Sequence, residues 1–126
     1  MNKSICILED SEEILEIITI LLEEEGYDIY GYGTISAFIS PYENINPTLC
    51  MLDVMLPDGN GLEVCHHIKS NLKTSRIPVV MMTANSQIEK MRETCQADDF
   101  VSKPFDIDDL SQRINKLANS NNFKIS

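Results

Sequence analysis

The stretch "TLCMLDVMLPDGNG", residues 48–61, decides the fold. It is apolar at consecutive positions through Leu52, carries one carboxylate at Asp53, and turns at Pro57, Gly59 and Gly61. Unbroken apolarity, rather than alternation, marks a strand covered on both faces, as in a parallel sheet flanked by helices. A carboxylate closing such a strand loses hydration, so it needs compensating partners or a use.

The segments on either side repeat one pattern. "SICILED" is a short apolar run ending in acids, and "SEEILEIITILLEEEGY" follows it with Ile14, Ile17, Ile18, Leu21 and Leu22 at helical spacing. Ser11 can cap that helix, the early glutamates suit its dipole, and Gly26 ends it. "YDIYGYG" gives a second strand, and "TISAFISPYENINP" a short helix broken by Pro41. Beyond the quoted stretch, "GLEVCHHIKSNL" forms a helix with Leu62, Val64, Cys65, Ile68 and Leu72 on one broad face. "IPVVMMTA" is a fourth strand, "SQIEKMRETCQA" a more polar helix and "DFVSKPF" a fifth strand stopped by Pro104. "DIDDLSQRINKLANS" closes the series as a helix with Ile107, Leu110, Ile114 and Leu117 at spacings of three and four. Five strands alternating with five helices predict an α/β fold, a doubly wound parallel sheet with helices on both faces.

Composition excludes several function classes. A chain of 126 residues matches one domain, assigned to residues 1–119, with 120–126 a polar tail or the start of a linker. No apolar run approaches the roughly 20 residues a bilayer requires, and the N-terminus lacks a signal-peptide pattern. A cytoplasmic domain without a membrane partner is expected. The net charge of -10 opposes direct nucleic-acid binding and favours a cation as guest. Cys6, Cys50, Cys65 and Cys95 read as buried hydrophobes in a reducing compartment. The run "CHH" at 65–67 is a poor zinc site, because adjacent helical residues point about 100° apart.

In an open parallel sheet, ligands bind beyond the carboxyl ends of the strands. Glu9 and Asp10 end the first strand, Asp53 the third, Thr83 the fourth and Lys103 the fifth. Singly, each has a plain explanation: Asp53 as a turn former, Thr83 and the Glu9–Asp10 pair as helix caps, Lys103 as a solvated lysine. Four such placements on one edge argue for a shared site.

Together these residues resemble the receiver domain of bacterial two-component response regulators. The resemblance runs from "ILED" through "LDVMLPDGNG" and "VVMMTA" to "ADDFVSKPF", nearly the whole chain. It implies a flavodoxin-like sheet in strand order 2-1-3-4-5 and an acyl-phosphate switch, with Asp53 as phosphoacceptor and a histidine kinase or phosphotransfer protein as donor. It further implies Mg2+ or Mn2+ ligated by Asp10, Asp53 and the backbone carbonyl of Met55, with Glu9 acting through water. Physical reasoning agrees: three carboxylates at one edge repel, and a divalent cation with oxygen ligands relieves them. Phosphoryl transfer needs an in-line nucleophile and neutralised oxygens, roles that suit Asp53, the metal, the Thr83 hydroxyl and the Lys103 ammonium. Ala84 is small enough to leave an approach path.

By the same resemblance the Lys103–Pro104 bond is cis, and Phe100 is a switch aromatic that rotates into space vacated by Thr83. The face of the fourth helix, fifth strand and fifth helix would report the change. Asp99 and Arg113 stand where relatives form cross-dimer ion pairs, which implies a homodimer on phosphorylation. Two positions depart from the family pattern: Glu9 replaces the usual aspartate, and Gln96 stands where glycine often ends the fourth helix. Rival readings fit less well. A phosphatase or phosphotransferase using Asp53 on external substrates commonly has a second acid two residues on, where this chain has Met55. A phosphorylation-independent interaction module would normally have lost Asp53, Lys103 or the acid pair, and a flavin binder needs a phosphate-cradling loop after strand one.

Overall fold

In the computed structural model the quoted stretch opens with β3, Leu49–Asp53, buried at every position. The structure describes residues 2–84, 91–92 and 95–120. In chain order the remaining elements are β1 (Ser4–Leu8), α1 (Glu12–Glu24), β2 (Asp28–Tyr32), α2 (Ile35–Phe38) and α3 (Pro41–Ile45) before it. After it come β4 (Met55–Leu56), β5 (Gly59–Asn60), α4 (Gly61–Ser70), β6 (Val79–Thr83), β7 (Asp99–Ser102) and α5 (Ile107–Ser120). The main sheet has five parallel strands in the order β2-β1-β3-β6-β7. This is the expected order, with β6 and β7 in the fourth and fifth places.

The consecutive apolar residues of β3 divide between two cores. Leu49 and Met51 pack with Ile5 and Ile7 of β1, Ile18 and Leu22 of α1, and Leu110 and Ile114 of α5. Cys50 and Leu52 face the other way, with Cys6, Leu8, Phe38, Tyr42, Val64 and Ile68. Each face thus buries its own alternate set, which is why no polar residue interrupts the run before Asp53. All four cysteines are free and buried, as expected of apolar fillers.

Local signals place the helices. Ser11 caps α1 by accepting from Ile14 N at 3.3 Å, and Gly26 follows its end at φ 96°. Thr34 caps α2 in the same manner, and Pro41 opens α3, so the expected second helix is two short pieces. Asp106 accepts from the amides of Asp108 and Asp109 at 2.8 and 3.1 Å, capping α5. The expected fourth helix, 86–97, falls largely outside the described residues; Met91 and Arg92 are helical. Of the tail at 120–126, residues 121–126 also lie outside them.

Three apolar side chains at or near the expected helical spacings stay outside the core. Ile17 of α1 and Ile107 of α5 are 49% and 48% exposed, and Leu72, past the end of α4, is 94% exposed. Helical spacing locates a stripe but not its edges, and Leu72 lost its helix when α4 ended at Ser70. In "CHH", Cys65 is buried while His66 and His67 are exposed, so the three diverge.

The loop after β3 doubles back as the antiparallel pair β4–β5, which the sequence did not announce. It lets Gly61 N donate to Val54 O at 2.8 Å and brings the start of α4 against β3. A Cβ on Gly61 would lie 1.9 Å from the Asp53 carbonyl oxygen, closer than any side chain tolerates. Gly61→Ala should therefore destabilise the fold by about 2 kcal/mol or more in chemical denaturation, through backbone displacement at the end of β3.

Candidate functional site

The carboxyl ends of four strands carry the polar groups, and ladder bonds extend past the strands to hold them. Glu9 N donates to Tyr32 O at 2.9 Å, Val54 N to Met82 O at 3.0 Å and Lys103 N to Thr83 O at 2.8 Å. The backbone positions of Glu9, Asp53, Thr83 and Lys103 are thus fixed by the sheet. Burial is deep: Glu9 is 1% exposed, Asp53 7% and Thr83 3%. The Lys103–Pro104 peptide bond is cis.

The side chains converge on Lys103. Its Nζ donates to Glu9 Oε1 at 2.5 Å and to Asp53 Oδ2 at 2.8 Å. The second oxygens are also used: Glu9 Oε2 accepts from Ser11 N at 3.0 Å, and Asp53 Oδ1 from Met55 N at 3.3 Å. Asp10 completes the group at the solvent side, and one oxygen from each of Glu9, Asp10 and Asp53 lies within 4.8 Å of the others. Among the described residues, this is the one such cluster of acidic, histidine or cysteine side chains.

Burial pushes the Glu9 carboxyl above its ordinary range and the Asp53 charge adds to the rise, while the Lys103 and Ser11 hydrogen bonds hold it back. For Lys103, burial pulls the ammonium down, but its hydrogen bonds to Asp53 and Glu9 outweigh that and the net shift is upward. Lys103 is therefore a permanent cation here. One ammonium against three carboxylates leaves a double negative charge when all are ionised. All-oxygen donors with that charge fit a hard divalent cation such as Mg2+.

The other predicted residues surround this centre. Ala84 follows Thr83 and is exposed, leaving the approach open. Met55 is 79% exposed, with its backbone in the small hairpin. Phe100 is buried, and the Arg92 guanidinium lies 5.5 Å from its ring centroid. Asp99 and Arg113 meet within one chain: Arg113 Nη1 donates to both Asp99 oxygens at 2.9 Å, and Nε to Asp109 Oδ2 at 2.8 Å.

Sequence reasoning missed three contributors. Ser11 serves Glu9 through its amide, a backbone role that no residue type signals. Asp58, in the loop beside the site, accepts from the amides of Ile35 and Ser36 at 2.9 and 3.1 Å and so ties that loop to α2. Asp98 accepts from Lys69 Nζ at 2.7 Å and Val79 N at 2.8 Å, fixing the entry to β7. Beside Lys103 an apolar groove of about 240 Å3 runs between α1 and α5, lined by Ile14, Ile17, Pro104, Phe105 and Ile107.

A family model for the response regulator receiver domain matches residues 5–115. The chain belongs to the response regulator receiver family. Solved structures agree with this over almost all of its length. A CheY-like receiver domain protein from Methanospirillum hungatei is 25% identical, with a TM-score of 0.90 over 98% of this chain and 99% of the other. The receiver domain of a signal transduction histidine kinase from Syntrophus aciditrophicus is 27% identical, with a TM-score of 0.86 over 94% and 91%. The response regulator TrrA of Thermotoga maritima, solved in complex with Mg2+ and BeF, is 29% identical, with a TM-score of 0.80 over 91% and 98%. As a receiver domain the chain is a signalling domain of two-component systems, with a flavodoxin-like fold. No helix among the described residues is long and apolar enough to cross a membrane.

The raised Glu9 pKa carries a sign. The folded receiver keeps this proton at a pH where the unfolded chain has lost it, so stability falls as pH rises from the ordinary carboxylate range through the raised value. In chelator-treated buffer, urea titrations over a pH series rising from the ordinary carboxylate range should show that fall, and Glu9→Gln should remove its share of the slope.

Proposed function

We propose that this receiver domain is a phosphorylation-operated switch whose phosphoacceptor is Asp53. The observation that carries the reading is the buried Asp53 carboxylate bonded to Lys103 Nζ at 2.8 Å, beside two further acids at the carboxyl edge of the sheet. A buried carboxylate with a fixed cation alongside is suited to nucleophilic attack on phosphorus, because the cation neutralises charge where it develops.

In the proposed step an Asp53 carboxylate oxygen attacks the phosphorus of a phosphohistidine on a histidine kinase or phosphotransfer protein. The new O–P bond forms as the N–P bond breaks, and the released imidazole nitrogen takes a proton from solvent. Lys103 turns its ammonium from the free carboxylate to a phosphoryl oxygen, and the Thr83 hydroxyl donates to another. Ala84 leaves the approach clear, and the Met55 amide steadies Asp53 Oδ1. Asp10, Asp53 and the Met55 carbonyl would hold Mg2+ or Mn2+, with Glu9 through water; bound there, the ion supplies neutralisation of the transferring group. The complex of the similar TrrA with Mg2+ and BeF supports this part of the reading.

The donor is proposed to seat on the apolar groove between α1 and α5, where Ile17 and Ile107 are half exposed next to Lys103. Apolar side chains grouped beside the reactive edge offer a partner a surface to cover. For output, Thr83 moving to the phosphoryl group frees space for Phe100, and the equilibrium shifts to whichever arrangement binds the modified Asp53 better. The face around β7 and α5 carries that change, and Asp99 and Arg113, paired within one chain, can exchange partners in a homodimer.

Incubation with Mg2+ and a small acyl phosphate should add a single base-labile phosphoryl group by intact mass. No adduct on the wild type, or an undiminished one on Asp53→Asn, would sink the assignment. Ile17→Asp should slow transfer from a phosphorylated histidine donor by about tenfold or more, with small-molecule phosphorylation unchanged. Equal loss from both donors would place Ile17 outside the docking face.

A further inference from the structure

The opposite edge of the sheet carries a cavity of about 360 Å3 bordered by Lys3, Asn46, Thr48, Lys73, Arg76 and Ile77. Lys3 precedes β1, Thr48 precedes β3 and Ile77 precedes β6, so the cavity lies beneath the amino ends of three neighbouring strands. A five-residue strand separates it from the acidic edge by roughly 16 Å.

Its charge is out of keeping with the chain. The protein has 20 acidic residues against 10 basic ones, yet three basic residues and no acid line this cavity. Three described cations elsewhere are paired with acids: Lys69 with Asp98, Lys103 with Glu9 and Asp53, Arg113 with Asp99 and Asp109. Lys3 instead donates to neutral acceptors, Ala118 O at 3.3 Å and Asn119 Oδ1 at 2.7 Å, which fix its position without a carboxylate partner. Among the described residues no carboxylate bonds Lys73 or Arg76, and both are exposed to solvent.

We propose that this cavity binds a small multivalent oxyanion, a phosphorylated or polycarboxylate molecule held by Lys3, Lys73 and Arg76. A guanidinium and two ammonium groups around one concavity match such a ligand: the arginine fork bonds two oxygens at once, and the lysines act as point charges. The Thr48 hydroxyl and Asn46 amide add neutral donors at the rim. The volume stands near the lower end of the roughly 300–1,000 Å3 range of ligand pockets, which selects a small molecule. The strongly negative remainder of the surface repels anions, so binding is confined to this cavity.

The test is calorimetric titration of the whole chain, in chelator-containing buffer without divalent metal, with pyrophosphate in one arm and citrate in the other. Saturable one-site binding of either probe is expected; pyrophosphate alone would assign a phosphorylated ligand, citrate alone a polycarboxylate. The double substitution Lys73→Gln with Arg76→Gln should weaken it by about tenfold or more, and added salt should weaken the wild type. Lys116→Gln, at an exposed lysine of α5 that does not border the cavity, should leave it unchanged. Absence of saturable binding by both probes, or full binding by the double variant, overturns the proposal. Asp53→Asn should bind as the wild type does, so this result and that of the phosphorylation assay stand apart.

Discussion

A half-buried ammonium shared between two buried carboxylates is the constraint on which this molecule turns. Glu9 and Asp53 come from neighbouring strands and would repel in a poorly hydrated edge, yet Lys103, reached from the far strand, bonds both. Losing the cation would strand two buried negative charges, a far larger penalty than any exposed pair could contribute. The parallel strand order makes the meeting achievable, since it delivers the carboxyl ends of β1, β3, β6 and β7 to one side. Stability and chemistry therefore draw on the same contact: the bond that steadies the resting edge is the bond that must rearrange when a new anion arrives.

Both sides of the sheet serve that edge. Two separate cores clamp β3 from opposite faces, so the strand bearing Asp53 has no soft side on which to yield. The loop beyond it is tied at both ends, by Gly61 to the strand and by Asp58 to α2. Rigid placement of a reactive side chain lowers the reorganisation its chemistry requires.

Much of this could be read from residue order alone. The unbroken apolarity of Leu49–Leu52 announces a strand covered twice, and the strand-end acids, Thr83 and Lys103 mark the edge. What stayed hidden has physical reasons. Ile17 and Ile107 fit the helical stripe but lie at its margin, and period alone does not reveal where coverage stops. Ser11 acts through a backbone amide, and Asp58 through a contact 22 and 23 residues distant, neither of which leaves a compositional mark. Asp99 and Arg113 pair within one chain, an outcome a linear pattern could not distinguish from pairing between two.

The hold of Lys3 on Ala118 and Asn119 joins the start of the first strand to the last turn of the last helix. The start of β1 and the end of α5 are therefore neighbours in space. A fold built this way behaves like a bead with both threads on one side: it can be spliced into a longer polypeptide without driving the flanking parts asunder, and tolerates rejoining of its ends. Modularity of this kind is a property of closure, independent of what the acidic edge does.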